Sequence, residues 1–446
     1  MKSEWPLVPI GEVAQLFDGP HATPKKTNDG PVFLGISSLK RGQLDLSSTE
    51  HLSEEDFSKW TRRVVPHVGD VVFSYETRIG EVAIIPEGLK CCLGRRMALL
   101  RPDQTRLLPK YLLYYFLSDE FQGLLRTRTI HGSTVDRLPL TDFPSYPVRI
   151  PSIEVQRSIS EVLEAFDKRI ALLRETNSTL ETIAQTLFKS WFVDFDPVRA
   201  KAEGRQLEGI DATTAALFPD SFEESELGLV PKGWEAGVLS DLASFQNGYA
   251  FRSQDWVDTG HPVVKIGDVK PGLINFSGCS RVAPTTVVGL ERFKLSRGDL
   301  LVGMTGYVGE TGLVPRVEPD AYINQRVGRL VTRAGLSDIG MVYCAVRDPA
   351  YKAYAESQSH GSAQANVSGA ALLAYPVVIP SPEVLSRFNH IVEPLLESIL
   401  SNHEQAQTLT QLRDTLLPRL ISGQLRLPEA MAEITKSTAQ ELQYAN

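Results

Sequence analysis

A histidine repeated in equivalent loops could act as a general base, and this sequence repeats one: His131-Gly132-Ser133 returns 229 residues later as His360-Gly361-Ser362. No acidic residue recurs beside either copy to orient the imidazole. Both therefore read as loop residues, structural or in contact with a ligand, and not as part of a catalytic dyad. Other chemistry is also missing. No Gly-x-x-x-x-Gly-Lys-[Ser/Thr] loop, no His-Glu-x-x-His helix and no Gly-x-Ser-x-Gly elbow occurs. Phe195-Asp196-Pro197-Val198 faintly resembles the Asp-Pro-Pro-Tyr motif of DNA amino-methyltransferases, but it lacks the second proline and the aromatic that would stack on a base. The Pro-Asp pairs at Pro102-Asp103, Pro219-Asp220 and Pro319-Asp320 have no following Glu-x-Lys, as a metal-dependent nuclease would require. Cys91, Cys92, Cys279 and Cys344 show no CxxC spacing, which predicts free thiols in a reducing compartment and no zinc site.

The repeated histidines belong to a larger pattern. At the same offset of 229, Trp5 falls on Trp234, Gly19 on Gly248, Gly69-Asp70 on Gly298-Asp299 and Gly80 on Gly309. Tyr146-Pro147 falls on Tyr375-Pro376, and Ile150-Pro151-Ser152 on Ile379-Pro380-Ser381. Ile36 with Ile266 and Arg96 with Arg326 need an offset of 230, as single-residue indels would produce. The chain is one unit written twice.

Each copy opens with a β-rich globule whose short apolar runs, such as Val71-Val72-Phe73 and Leu300-Leu301-Val302, are punctuated by Gly and Pro. A helical stretch comes late in each globule, at 110–125 and at 339–356. A long helix follows, with Ser152 and Ser381 as N-caps and Glu154 and Glu383 in the first turn. A 4-3 apolar seam runs from Ile159 to Trp191 in the first helix and from Phe388 to Leu420 in the second, with Asn177 and Asn402 near its midpoints. A lone exposed seam would be unstable, so the helices are expected to pair antiparallel, placing the globules at opposite ends of a rod. Pro394 is expected to kink or split the second helix, or to precede its true start. The predicted class is α+β: two β-rich α/β recognition domains separated by two long antiparallel coiled-coil helices, with an internal pseudo-twofold repeat. The predicted boundaries are a first domain at 1–151, a helix at 152–193, an acidic linker at 194–230, a second domain at 231–380, a helix at 381–423 and a flexible tail at 424–446.

The net charge of −8 argues against a simple nucleic-acid binder. The acid excess, however, lies in the helices, the linker and the tail. Residues 1–150 carry 19 Lys+Arg against 18 Asp+Glu, and residues 231–380 carry 14 against 13. Binding to DNA on local patches is compatible with that balance. No apolar run reaches the ~18 residues of a membrane span, and the N-terminus has no secretory h-region, so a cytoplasmic location is expected.

The residues 187–198, Leu-Phe-Lys-Ser-Trp-Phe-Val-Asp-Phe-Asp-Pro-Val, resemble the end of the central helix in specificity (S) subunits of type I restriction–modification enzymes. Gly69-Asp70-Val71-Val72 with Arg78-Ile79-Gly80, and Gly298-Asp299-Leu300-Leu301 with Tyr307-Val308-Gly309, resemble marks of that family's target recognition domains. Residues 416–423, Leu-Leu-Pro-Arg-Leu-Ile-Ser-Gly, are similar to the end of its second helix. The resemblance covers nearly the whole chain. It implies a non-catalytic subunit of a bacterial phage-defence system, with each globule reading one half of a split, asymmetric site in double-stranded DNA and the helices setting the gap. It further implies docking of methyltransferase (modification) subunits and, through them, restriction (translocase/nuclease) subunits. No cofactor is then expected in this chain; S-adenosylmethionine, ATP and magnesium would belong to the partners. The alternative is a stand-alone two-headed DNA-binding protein without a methyltransferase.

Base reading requires side chains able to make bidentate contacts, supported by smaller groups for phosphates. In the first globule these are Arg78, Arg95, Arg96, Arg126, Arg128 and Ser133; in the second, Tyr307, Asn324, Gln325, Arg326, Gln358 and Asn366. Arg96 and Arg326 could share a phosphate contact or a structural bridge. Leu172, Ile183, Phe188 and Phe192 lie off the heptad stripe and are the candidates for partner docking.

Overall fold

Val71–Ser74 and Leu300–Gly303 are buried at every position, which explains why both read as unbroken apolar runs: each is an interior strand covered on two faces. In the computed structural model, which describes residues 5–20, 23–47, 49–132, 135–205, 208–359 and 365–426, the chain divides into two units. One is Met1–Arg169 with Thr408–Asn446, and the other is Ile170–Gln407.

In the first unit, Val71–Ser74 lies between Met97–Pro102 and Val82–Ile84, and Ala14–Asp18 completes an antiparallel sheet. A second sheet pairs Thr27–Leu34 antiparallel to Glu50–His51 and parallel to Cys91–Leu93. In the second unit, Leu300–Gly303 takes the equivalent place between Val327–Val331 and Thr311–Leu313, with Ser244–Asn247 beyond. His261–Val264 runs parallel to Tyr322–Ile323, as Thr27–Leu34 does to Cys91–Leu93. Each globule is closed by pairing its first strand with its last: Leu7–Pro9 with Pro147–Arg149, and Glu235–Val238 with Pro376–Ile379.

The repeated Gly-Asp pairs are turn chemistry. Gly69 and Gly298 adopt φ of 85° and 89°, a region where a side chain is strained. The following aspartate caps the turn, Asp70 accepting from the His67 N–H at 2.7 Å and Asp299 from the Ser296 N–H at 2.8 Å. An arginine from the neighbouring strand neutralises each. Arg101 binds Asp70 bidentately at 2.8 and 2.7 Å, and Arg329 reaches Asp299 at 2.7 Å.

Ser152 and Ser381 cap the long helices Ile153–Phe188 and Pro382–Ile421, each accepting from the N–H three residues on at 3.4 Å. In the first unit Ile159, Leu163 and Phe166 pack with Leu416 and Leu420, and Arg413 donates to Asp167 at 2.6 Å. In the second, Ala184, Phe188 and Trp191 pack with Phe388, Val392 and Ile399. There Asn402 donates to the Asn177 side-chain oxygen at 3.0 Å, and Asn177 donates to the Ile399 carbonyl at 2.9 Å. Within each unit the two helix segments run antiparallel. Tyr114 and Tyr343, again 229 apart, anchor helices of their globules to the first long helix. Tyr114 donates to Asp167 at 2.7 Å and Tyr343 donates to Glu181.

Three expectations are corrected. Pro394 neither splits nor precedes the second helix, which runs unbroken through it; flanking apolar residues Val392, Leu396 and Ile399 are buried and hold the helix where one backbone bond is lost. The segment at 194–230 is no passive linker. It contains helices Asp196–Ala202 and Ala212–Ala216 and the hairpin of Phe222–Ser225 with Gly228–Pro231. Its Phe195, Val198 and Phe218 are buried in the second unit's core with Trp191, Trp234 and Phe388. Finally, Leu425, assigned to a tail, is buried in the first unit's core, its N–H donating to the Arg419 carbonyl at 3.1 Å.

Candidate nucleic-acid interface

In the first unit three loops meet at the end of the main sheet. The Tyr75 N–H donates to the Arg96 carbonyl at 3.2 Å, the Leu138 N–H to the Tyr75 carbonyl at 2.7 Å, and the Thr77 N–H to the Asp136 carbonyl at 3.2 Å. Arg137 bridges both Glu76 and Ile130. The second unit repeats these bonds at its own loops. The Met304 N–H donates to the Arg326 carbonyl at 3.1 Å, Val367 to Met304 at 2.9 Å, and Gly306 to Ala365 at 2.8 Å, while Thr305 bridges Asn366. Gly80 and Gly309, with φ of 86° and 76°, turn the first of these loops against a helix.

The sequence-selected residues fall into different roles on this scaffold. Arg78 is exposed and paired with Glu81 at 2.7 Å. Arg95 is exposed and forms no ion pair among the described residues. Arg96 is half-buried at φ 72°, held by Glu76 at 2.9 Å and Thr77 at 3.2 Å, so of its two readings the structural bridge fits. Arg126 and Arg128 are exposed in the last turn of Asp119–Arg128, with the Arg128 guanidinium 5.8 Å from the Tyr146 ring centre. Ser133 and His360 lie outside the described residues.

In the second unit Met304, Thr305, Gln325, Arg326, Asn366 and Ser368 line an open groove. Gln325 and Arg326 are exposed, and Asn366 accepts from the Thr305 hydroxyl at 2.8 Å. Tyr307, on the loop beside them, is 62% exposed. Asn324 is a correction. It is buried, its backbone N–H donating to the Val264 carbonyl at 3.0 Å and its side chain accepting from the Arg326 N–H at 3.4 Å. Its task is to close the turn that presents Gln325 and Arg326. Gln358 is exposed at the end of Pro349–Ser357, donates to Ser357 at 3.3 Å and does not line the groove. Arg137 was missed by sequence reasoning. The signal was available, since it stands 229 residues before Asn366.

The docking candidates divide. Leu172 and Ile183 are 51% and 47% exposed, whereas Phe188 and Phe192 are buried. The correction has a simple cause. Phe188 and Phe192 meet Phe388 edge to face, ring centres 6.3 and 4.8 Å apart, in the aromatic cluster completed by residues that looked like a linker.

The residues that could have carried catalysis have ordinary partners. His131 lies 3.1 Å from Asp136 on an exposed loop. Asp196 accepts from Ser190 at 2.7 Å, Asp103 from Thr105 at 2.7 Å, and Asp320 pairs with Lys294 at 2.8 Å. The four cysteines are free and buried, and burial pushes the Cys91, Cys92 and Cys279 thiols up to about 12. Among the described residues, no three His, Cys, Asp or Glu side chains gather as a metal site, and no helix is long and apolar enough to cross a membrane.

Comparison with known proteins identifies what carries this scaffold. Residues 2–182 and 231–416 match the family described as the type I restriction modification DNA specificity domain. The chain is 26% identical over 378 residues to the type I restriction enzyme HindI specificity subunit of Haemophilus influenzae, covering 75% of this chain and 81% of the relative. It is 24% identical over 384 residues to the MjaIX specificity subunit of Methanocaldococcus jannaschii, covering 85% and 82%. The fold is similar to the crystal structure of the type I restriction-modification system S subunit from M. genitalium, with a TM-score of 0.57 and 15% identity over 94% of this chain and 96% of that one. With two family matches laid over its two repeats, the chain belongs to the type I restriction–modification specificity subunits, the members of those systems that supply specificity and not catalysis.

Proposed function

We propose that this protein reads a split, asymmetric site in double-stranded DNA, one half-site through each globule, and docks the methyltransferase subunits of a type I restriction–modification complex. Restriction subunits then join through the methyltransferase. One observation carries the reading: the two units close their loops with three matching hydrogen bonds but offer different side chains, Arg95 and Arg137 in one and Gln325 and Asn366 in the other. Two identical readers would need a symmetric site, and these differ. Linking two weak readers raises affinity through effective concentration, which offsets the chain's overall negative charge. S-adenosylmethionine, ATP and magnesium belong to the partners, and the complex works in the cytoplasm where its DNA is. The exposed Leu172 and Ile183 on the first long helix are the part of the docking surface this reading assigns.

The test is to co-purify the chain with the proteins encoded beside it and to sequence methylated positions in host DNA. The expected result is a complex with a methyltransferase and a split motif with unlike halves. An isolated chain with no methyltransferase and no split motif would replace this reading with that of a stand-alone two-headed DNA binder.

A further inference from the structure

Resting on the two-reader function above, we infer that Arg137 and Arg95 read guanine in the first unit's half-site, and that Asn366 and Gln325, at the equivalent positions, read adenine in the second's. Arg137 bridges Glu76 as Asn366 bridges Thr305, and Arg95 precedes Arg96 as Gln325 precedes Arg326. Three loop-closing backbone bonds beside the two pairs match between the units, while Arg137 alone is further paired with Ile130 and Gln325 alone with the Tyr249 carbonyl.

Charge then separates readers from supports. In the first unit Glu76 is occupied by Arg96 at 2.9 Å and Glu81 by Arg78 at 2.7 Å. Arg95 and Arg137 are exposed and make no ion pair among the described residues, so their guanidinium forks are available. A guanidinium donates two parallel hydrogen bonds, matching the O6 and N7 acceptors of guanine in the major groove. In the second unit Thr305 stands where the first has Glu76, and three things follow. Arg326 loses the carboxylate that pins Arg96 and is left exposed, free to meet a phosphate. The Thr305 hydroxyl donates to the Asn366 side-chain oxygen at 2.8 Å and fixes the orientation of the amide. That oxygen keeps a second lone pair, so the amide can accept from N6 and donate to N7 of adenine, and Gln325 offers the same pairing.

The experiment uses the full chain co-expressed with its neighbouring methyltransferase in a host lacking other DNA methylation, comparing wild type with Arg137→Asn, Arg95→Gln and Asn366→Arg. All three side chains are exposed, and thermal melting of each purified complex checks that it remains folded. The expected result is a change at single positions. Arg137→Asn and Arg95→Gln each relax or shift one G·C position of the first half-site by about 10- to 100-fold. Asn366→Arg shifts one A·T position of the second half-site towards G·C, and the opposite half stays as it was. A split motif that every variant leaves unchanged overturns this inference while the two-reader function stands. Equal weakening on all sequences, with a shallower salt dependence, also overturns it by making these residues phosphate contacts. The absence of any split motif in the wild type defeats the underlying function instead.

Discussion

The loops around Glu76 and around Thr305 are closed by matching backbone bonds, yet one ends in a glutamate clamped by Arg96 and the other in a threonine that orients an amide. Set side by side, the two units separate what is repeated from what is used. The residues shared at an offset of 229, such as Gly69-Asp70 with Gly298-Asp299 and Gly80 with Gly309, are turns, caps and close approaches. The residues that differ face outward at the loop ends. In a duplicated binding protein, shared letters mark the scaffold and unshared letters at the same backbone positions mark the candidates for recognition.

That contrast can be broken most severely by exchanging residues 1–150 for the first globule of another family member. One half of the methylated motif is expected to change completely and the other to persist. A change in both halves would sink the assignment of one reader per globule.

Next in size is the close approach of loop to helix. A Cβ added at Gly309 would lie 2.8 Å from the Ala355 Cβ and 3.3 Å from the Lys352 Cα, atoms fixed to a helix backbone. At Gly80 it would meet the end of the Gln122 side chain, which can move away. Gly309→Ala should cost about 3 kcal/mol and Gly80→Ala about 1–2 kcal/mol in urea unfolding, because both pay the left-handed penalty but only the first must also displace a helix. Equal losses would show that the two loops are not supported differently.

A smaller effect is expected at the helix pair of the second unit. Asn402→Leu leaves the Asn177 oxygen without its donor and should cost about 1 kcal/mol. Adding Asn177→Leu should recover that loss. If the double variant stays as unstable as the single one, the asparagines contribute more than their mutual hydrogen bond.

The thiols should show the smallest difference between units. Cys91 and Cys92 in the first and Cys279 in the second are pushed from 9.0 up to about 12 by burial. Their contribution to stability is whole below pH 9 and falls as pH rises towards 12, because the unfolded chain releases those protons first. Alkylation at pH 8 should therefore be slow in the native chain and fast in urea, equally in both units. Rapid labelling of one native unit would reveal local opening there.

Much of the architecture was legible in the sequence for physical reasons. Strands buried on both faces leave apolar runs, a helix start leaves Ser152 or Ser381, and a seam from Ile159 to Trp191 needs a partner. What stayed hidden depends on contacts between distant residues. Phe195, Val198 and Phe218 are scattered among acidic residues with no period, and only their burial against Trp234 and Phe388 shows that 194–230 is part of a core. The candidate interface could be listed from the sequence as residue types but not as roles. Arg96 and Asn324 look like readers until their partners are seen, and Phe188 and Phe192 look like docking residues for the same reason. Arg137 sits in a loop with no motif, and only the backbone bridge to Glu76 shows that it shares a frame with the other loops.

The end of the first long helix carries a last consequence. Lys189–Val193 forms one wide turn, the Asp194 N–H donating back five residues to the Lys189 carbonyl at 2.8 Å. Such a turn holds about one residue more than the α-helical turns before it, so everything beyond it is rotated by about 100° relative to the heptad phase. Within the turn adjacent Trp191 and Phe192 are both buried, Trp191 against Phe218 at 4.9 Å and Phe192 against Phe388 at 4.8 Å. The direction in which the chain leaves the helix is thus stored in one surplus residue, and deleting any single residue of the turn would swing the exit to another side of the helix while leaving the seam upstream in phase.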